Sequence, residues 1–129
     1  MAERPSASRQ KAYRRGHHGE WLAAAALMLK GYRILARRHR TRFGEIDLIA
    51  RRGDLVLIVE VKARRMGAVA TPLQSVPPAK QRQVRRMAAA WLVESGDRPR
   101  ARELRFDAIG VTVDHLGALV RLDHLEAAF

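Results

Sequence analysis

The sequence predicts a mixed α/β domain built on one central β-sheet flanked by helices, in the order α-β-β-β-α-β-β. Three observations carry this. Residues 55–62 read Leu-Val-Leu-Ile-Val-Glu-Val-Lys, a near-continuous apolar run expected of a strand buried on both faces. Residues 79–95 place Val84, Met87, Ala88, Trp91 and Leu92 at i, i+3, i+4, i+7 and i+8, one face of a helix. The chain has 129 residues, 47% of them hydrophobic, which suits one packed core with little room for a second.

The remaining elements follow in order. Residues 1–15 are polar, basic and poor in large apolar groups, and read as a flexible arm ahead of a single domain at 16–129. Residues 19–30 are rich in Ala and Leu and stop at Gly31, which predicts a helix. Residues 32–39 alternate as a strand does, 41–44 form a turn, and 45–52 form a second strand. Gly53-Asp54 makes the tight turn into the third strand. Residues 64–78 hold Gly67, Pro72, Pro77 and Pro78 and read as a loop. Strands are expected at 104–113 and 119–122, with a last helical turn in the tail.

Lys plus Arg number 25 against 13 Asp plus Glu, a net charge of +12 with a pI near 11.5. Residues 1–43 carry +9, residues 44–62 carry −1, residues 63–102 carry +7 and residues 103–129 carry −3. A small acidic island thus lies between two strongly basic stretches. The balance makes a polyanion the leading partner, with DNA favoured. Cysteine is absent, which removes disulfides, Cys-ligated zinc, iron–sulfur clusters and a thiol nucleophile. The apolar run 21–29 is too short to span a bilayer, and Glu20 and Lys30 flank it where a signal peptide would not have them. The expected setting is the cytoplasm, with no membrane partner.

The acidic island carries the chemistry. Asp47 sits among apolar neighbours in Gly44-Glu45-Ile46-Asp47-Leu48-Ile49-Ala50. Strict alternation puts Glu45 and Asp47 on one face and Ile46 and Leu48 on the other, with Glu60 and Lys62 sharing a face of the next strand. An antiparallel hairpin through Gly53-Asp54 brings Asp47 to the Glu60–Lys62 end, because both lie far from the turn. Asp47 and Glu60 are hard oxygen ligands suited to Mg²⁺ or Mn²⁺. Such a cation acidifies water and offsets phosphate charge. Lys62 can orient or deprotonate the attacking water, or stabilise the transition state, chemistry a guanidinium does not readily share. Only 4 of the 25 basic residues are Lys, which singles out Lys62. The competing reading of Glu60-Val61-Lys62 is a plain surface ion pair.

Asp47, twelve spacer residues and Glu60-Val61-Lys62 resemble the PD-(D/E)xK nuclease signature, with Ile46 where the general motif has Pro. Together with Gly19-Glu20, Gly31-Tyr32, Lys80, Arg105-Phe106-Asp107 and Ala128-Phe129, these blocks resemble the bacterial YraN-like family across most of the chain. The resemblance implies a restriction-endonuclease-like core similar to that of archaeal Holliday-junction resolvases. It implies that Asp47 and Glu60 bind the metal and that Lys62 assists the water. Glu20 on the first helix would approach the same metal as an extra ligand or through water, and the backbone carbonyl of Val61 would complete the shell.

Other residues carry a functional and a bland reading together. Lys80, Arg82, Arg85 and Arg86 form a solvated helix face or a grip on nucleic-acid phosphates, with Lys80 nearest the site. His17 and His18 belong with the basic arm, Trp91 with the core, and Asp107 with a structural polar contact. The apolar–acidic tail closes the core or forms a dimer contact. Three functions compete: a Mg²⁺-dependent endodeoxyribonuclease acting on structured or branched DNA, a noncatalytic nucleic-acid-binding module on the same fold, and a structural or partner-binding protein whose basic charge serves solubility or an acidic partner. Two symmetric cuts in branched DNA would suit a homodimer.

Overall fold

A computed structural model describes the backbone of residues 7–67, 76–95 and 103–129, with side chains from residue 18 onward. The elements are α1 (Ala7–Leu29), β1 (Arg33–Thr41), β2 (Gly44–Arg52), β3 (Leu55–Arg65), α2 (Pro78–Glu94), β4 (Glu103–Val113) and β5 (Leu119–Leu125). They form one five-stranded sheet in the order β1-β2-β3-β4-β5. Only the β3–β4 pairing is parallel; α2 lies between these two strands in the chain. The mixed α/β architecture and the element order agree with the sequence reading. The loop read at 64–78 gives up its first two residues to β3, its last residue opens α2, and residues 68–75 lie outside the described residues.

The first helix is longer than expected. It begins at Ala7, not at residue 19, so residues 7–15 of the expected arm are helical backbone; residues 1–6 lie outside the described residues. Ala, Gln, Lys and Arg recur through this stretch and favour helix without any apolar stripe, so periodicity gave no sign of it. Gly31, at φ 90°, ends the helix: its N–H donates to the Met28 carbonyl at 3.0 Å and the Tyr32 N–H to Leu27 at 3.0 Å. At the other helix, Pro78 occupies the first turn, where a missing N–H costs nothing.

Each helix covers one face of the sheet. Ala23, Ala24 and Leu27 of α1 pack with Leu48, Ala50, Leu57, Val59, Ile109 and Val111. Val84, Met87, Ala88 and Trp91 of α2 pack with Ile46, Ile49, Val56, Ile58 and Phe106. α1 lies close to β3 at Gly19, where a Cβ would stand 2.9 Å from that of Ala63. After β5 the tail forms a turn in place of the expected helical turn. The Ala128 N–H donates to the Phe106 carbonyl at 2.8 Å, and Phe129 stacks on Phe106. Among the described residues, no helix is long and apolar enough to cross a membrane.

Candidate catalytic carboxylate site

The expected hairpin forms, but Asp47 does not follow strict alternation. Ile46 packs on the α2 face and Leu48 on the α1 face, although they stand two apart on one strand. β1 makes the same reversal. Arg37 pairs with Leu48 and lies over the Trp21 ring of α1, whereas His39 pairs with Ile46 and reaches Glu94 of α2 at 3.5 Å. Between them, Arg38 has φ 52°, a left-handed backbone that non-glycine residues rarely adopt. The two strands therefore exchange faces at the Arg38–Asp47 level. The expectation that Ile46 and Leu48 share a face is corrected: the two side chains join the cores on opposite sides of the sheet.

The β2–β3 ladder runs from Arg52↔Leu55 to Leu48↔Val59. Beyond it, the Asp47 carboxylate takes over from the backbone: the Val61 N–H donates to Asp47 Oδ2 at 2.8 Å. Glu60, with a side chain 20% exposed, lies beside it and pairs with Lys80 of α2, Nζ to Oε1 3.7 Å. Lys62 acts on Glu60 through its charge. Glu20, buried on α1, accepts from Arg38 Nε at 2.5 Å. Its charge also reaches Asp47.

These positions set the proton affinities. Burial raises Asp47 to about 7, helped by the negative charges of Glu60 and Glu20 and opposed by the Val61 N–H and Lys80. Burial likewise raises Glu60, opposed by Lys80 and Lys62. Burial and, at Asp47, the repulsion of neighbouring carboxylates disfavour the charged forms of this adjacent pair. Such a pair is the donor set a hard cation satisfies, so Asp47 and Glu60 fit a divalent metal. Glu20 is committed to Arg38. Among the described residues, no group of three or more His, Asp or Glu side chains is arranged to hold a metal.

The basic residues of α2 separate. Lys80 joins the carboxylates, Arg82 is exposed, Arg85 lies 4.7 Å from the Phe106 ring centroid, and Arg86 lines a groove with Arg42 and Phe43. Arg38 was not singled out in the sequence. Its only sequence signal is membership of an Arg-rich strand, and the left-handed backbone that aims it is invisible there.

A second polar cluster gathers round one fully buried carboxylate. Asp107, with no exposed surface, accepts from Arg105 Nε and Nη2 at 2.8 and 2.9 Å and from the Ala127 N–H at 3.0 Å. His124 Nε2 stands 2.7 Å from Asp107 Oδ2, and Lys30 Nζ stands 2.8 Å from His124 Nδ1. An ammonium only donates, so Nδ1 accepts from Lys30 and the Nε2–H donates to Asp107. Burial pushes Asp107 up, but the bonds from His124, Arg105 and Ala127 outweigh it and hold the carboxyl at about 2. This matches the structural role expected for Asp107.

The fold and site together define a mixed α/β protein with a half-buried carboxylate pair where the β2–β3 ladder ends. The profile of the family described as "Uncharacterised protein family UPF0102" matches residues 19–111, and the chain belongs to that family. The UPF0102 protein of Mesorhizobium japonicum is 65% identical over 111 residues, covering 86% of each chain. That of a Chelativorans species is 56% identical, covering 81% of this chain and 82% of the relative. That of Rhizobium etli is 50% identical, covering 86% and 88%.

Proposed function

We propose that the protein is a metal-dependent endonuclease of the PD-(D/E)xK type, hydrolysing phosphodiester bonds in structured or branched DNA. The observation that carries this reading is the adjacency of two half-buried carboxylates, Asp47 and Glu60, with Lys62 acting on the same Glu60. When held by Asp47 and Glu60, Mg²⁺ or Mn²⁺ supplies an acidified water and counter-charge for the phosphate. Asp47 keeps its carboxylate in place through the Val61 N–H. Lys62 orients the attacking water and offsets charge in the transition state. Lys80 neutralises part of Glu60. The net charge of +12 supplies affinity for the polyanion in a cytoplasmic setting.

A second reading is a noncatalytic nucleic-acid-binding module. It is favoured by one observation: Glu20, the third expected ligand, is engaged by Arg38. One panel separates the two. Purified protein is offered single-stranded, duplex, flap and four-way DNA, with matched RNA, in Mg²⁺ or Mn²⁺. The nuclease reading expects cutting that Asp47→Ala, Glu60→Ala and Lys62→Ala each abolish while binding persists. Salt-sensitive binding without metal-dependent turnover on any substrate selects the module.

A further inference from the structure

β5 is an edge strand, and among the described residues no strand pairs with its outer side. Unpaired edges invite another strand unless they are blocked. Leu119 and Val120 on β5 are 47% and 50% exposed, and Leu116 in the turn before it is 81% exposed. The strand also lies within the one large segment of net negative charge, −3 over residues 103–129, in a chain of +12. Two copies meeting here oppose edges whose own charges, Arg121 and Asp123, cancel.

The order of residues on β5 is self-complementary about one position only. Leu122 packs into the α1-side core and His124 bonds Lys30 just past the end of α1, so both occupy that face. Arg121 and Asp123 occupy the other face, bonded to each other at 3.0 Å with side chains 72% and 43% exposed. A two-fold axis normal to the sheet preserves faces and must pass through a residue. Centred on Arg121 it opposes Arg to Arg, and centred on Asp123 it opposes Asp to Asp. Centred on Leu122 it sets Arg121 against Asp123 of the second copy twice, with Leu122 facing its own counterpart. Opposite charges directly across an antiparallel pair are favourable, and like charges are not.

We infer that β5 pairs antiparallel with β5 of a second copy, centred on Leu122, to make one continuous ten-stranded sheet. The pairing does not depend on the nuclease reading. If that reading also holds, five strand spacings and about six residue rises separate the two carboxylate sites by about 30 Å, on two-fold-related positions.

The test uses the full chain. Because the protein lacks cysteine, one introduced cysteine reports one contact. Leu122→Cys should form an intermolecular disulfide on mild oxidation, since directly opposed residues stand about 4.5–5.5 Å apart, within bridging range. Leu29→Cys, on a residue 91% exposed at the end of α1, should not. Sedimentation should give twice the chain mass. Arg121→Glu, a surface change that leaves folding intact, should weaken dimerisation about tenfold or more, and Arg121→Glu with Asp123→Arg should restore it. A monomer at the highest soluble concentration overturns the inference. So does a dimer indifferent to Arg121→Glu, or cross-linking at residue 122 no faster than at residue 29.

Discussion

Arg38 donates to Glu20 across the gap between the edge strand and the first helix, and it does so from a backbone at φ 52°. Few non-glycine residues pay that conformational cost without a structural return. Here the residue bonds Glu20 of α1 and sits where β1 changes the face it presents, level with Asp47 on β2. Arg38→Ala and Arg38→Gly both lose the ion pair, but only Ala keeps the left-handed strain. Urea unfolding should therefore find Arg38→Gly more stable than Arg38→Ala by about 1 kcal/mol. Equal stabilities would mean that the residue is not left-handed in solution.

Asp47 at about 7, against 3.8 for an ordinary aspartate, makes stability pH-dependent. The folded chain keeps a proton that the unfolded chain has already released. The contribution is thus full below pH 3.8 and is lost as pH rises through about 7. Asp47→Asn retains an acceptor for the Val61 N–H and removes the charge. Its melting temperature should exceed that of the wild type at pH 8 by the equivalent of about 1–3 kcal/mol, with a smaller gap at pH 5. A gap independent of pH contradicts the assignment.

Divalent cations should act on the same pair. Mg²⁺ or Mn²⁺ bound by Asp47 and Glu60 stabilises only the folded chain and relieves their repulsion. Thermal melts at pH 8 should rise with added cation for the wild type and stay level for Asp47→Asn and Glu60→Gln. An equal rise in all three places the cation elsewhere.

Gly19→Ala reverses an ordinary expectation. Within a helix the change gains about 1 kcal/mol from propensity. At this position the new Cβ meets Ala63 at 2.9 Å, and both contacting elements are backbone-borne. Overpacking of about 1–3 kcal/mol should win, giving net destabilisation in denaturant titration and a shift of the neighbouring Glu20. A more stable Gly19→Ala would show that α1 does not sit this close to β3.

Asp107→Asn tests the second cluster. The carboxylate holds Arg105, His124 and the tail at Ala127, so its neutralisation leaves a partly buried guanidinium underpaired. The loss should be about 3 kcal/mol at pH 7. Because the folded carboxyl is lowered to about 2, its contribution is present above pH 3.8 and vanishes as pH falls through 2. The wild type and Asp107→Asn should therefore converge in stability at strongly acid pH, as followed by circular dichroism.

The apolar run of β3, the period of α2 and the Gly53-Asp54 turn are local patterns. They determine the order of elements and a hairpin whose open end gathers Asp47, Glu60 and Lys62. The helical backbone before residue 19 was not legible, because helix-favouring polar residues without an apolar stripe look the same in an arm. The sequence puts Lys80 nearest the site and Glu20 beside it, but the pairings that close the polar clusters are not local. Glu20–Arg38, Glu60–Lys80 and Asp107–His124 join residues 18, 20 and 17 positions apart, on separate elements. Periodicity governs which way a side chain points within one element. Which charges meet, and so whether a carboxylate titrates near 7 or near 2, is decided by burial and long-range partners that exist only once the sheet and its two helices have packed.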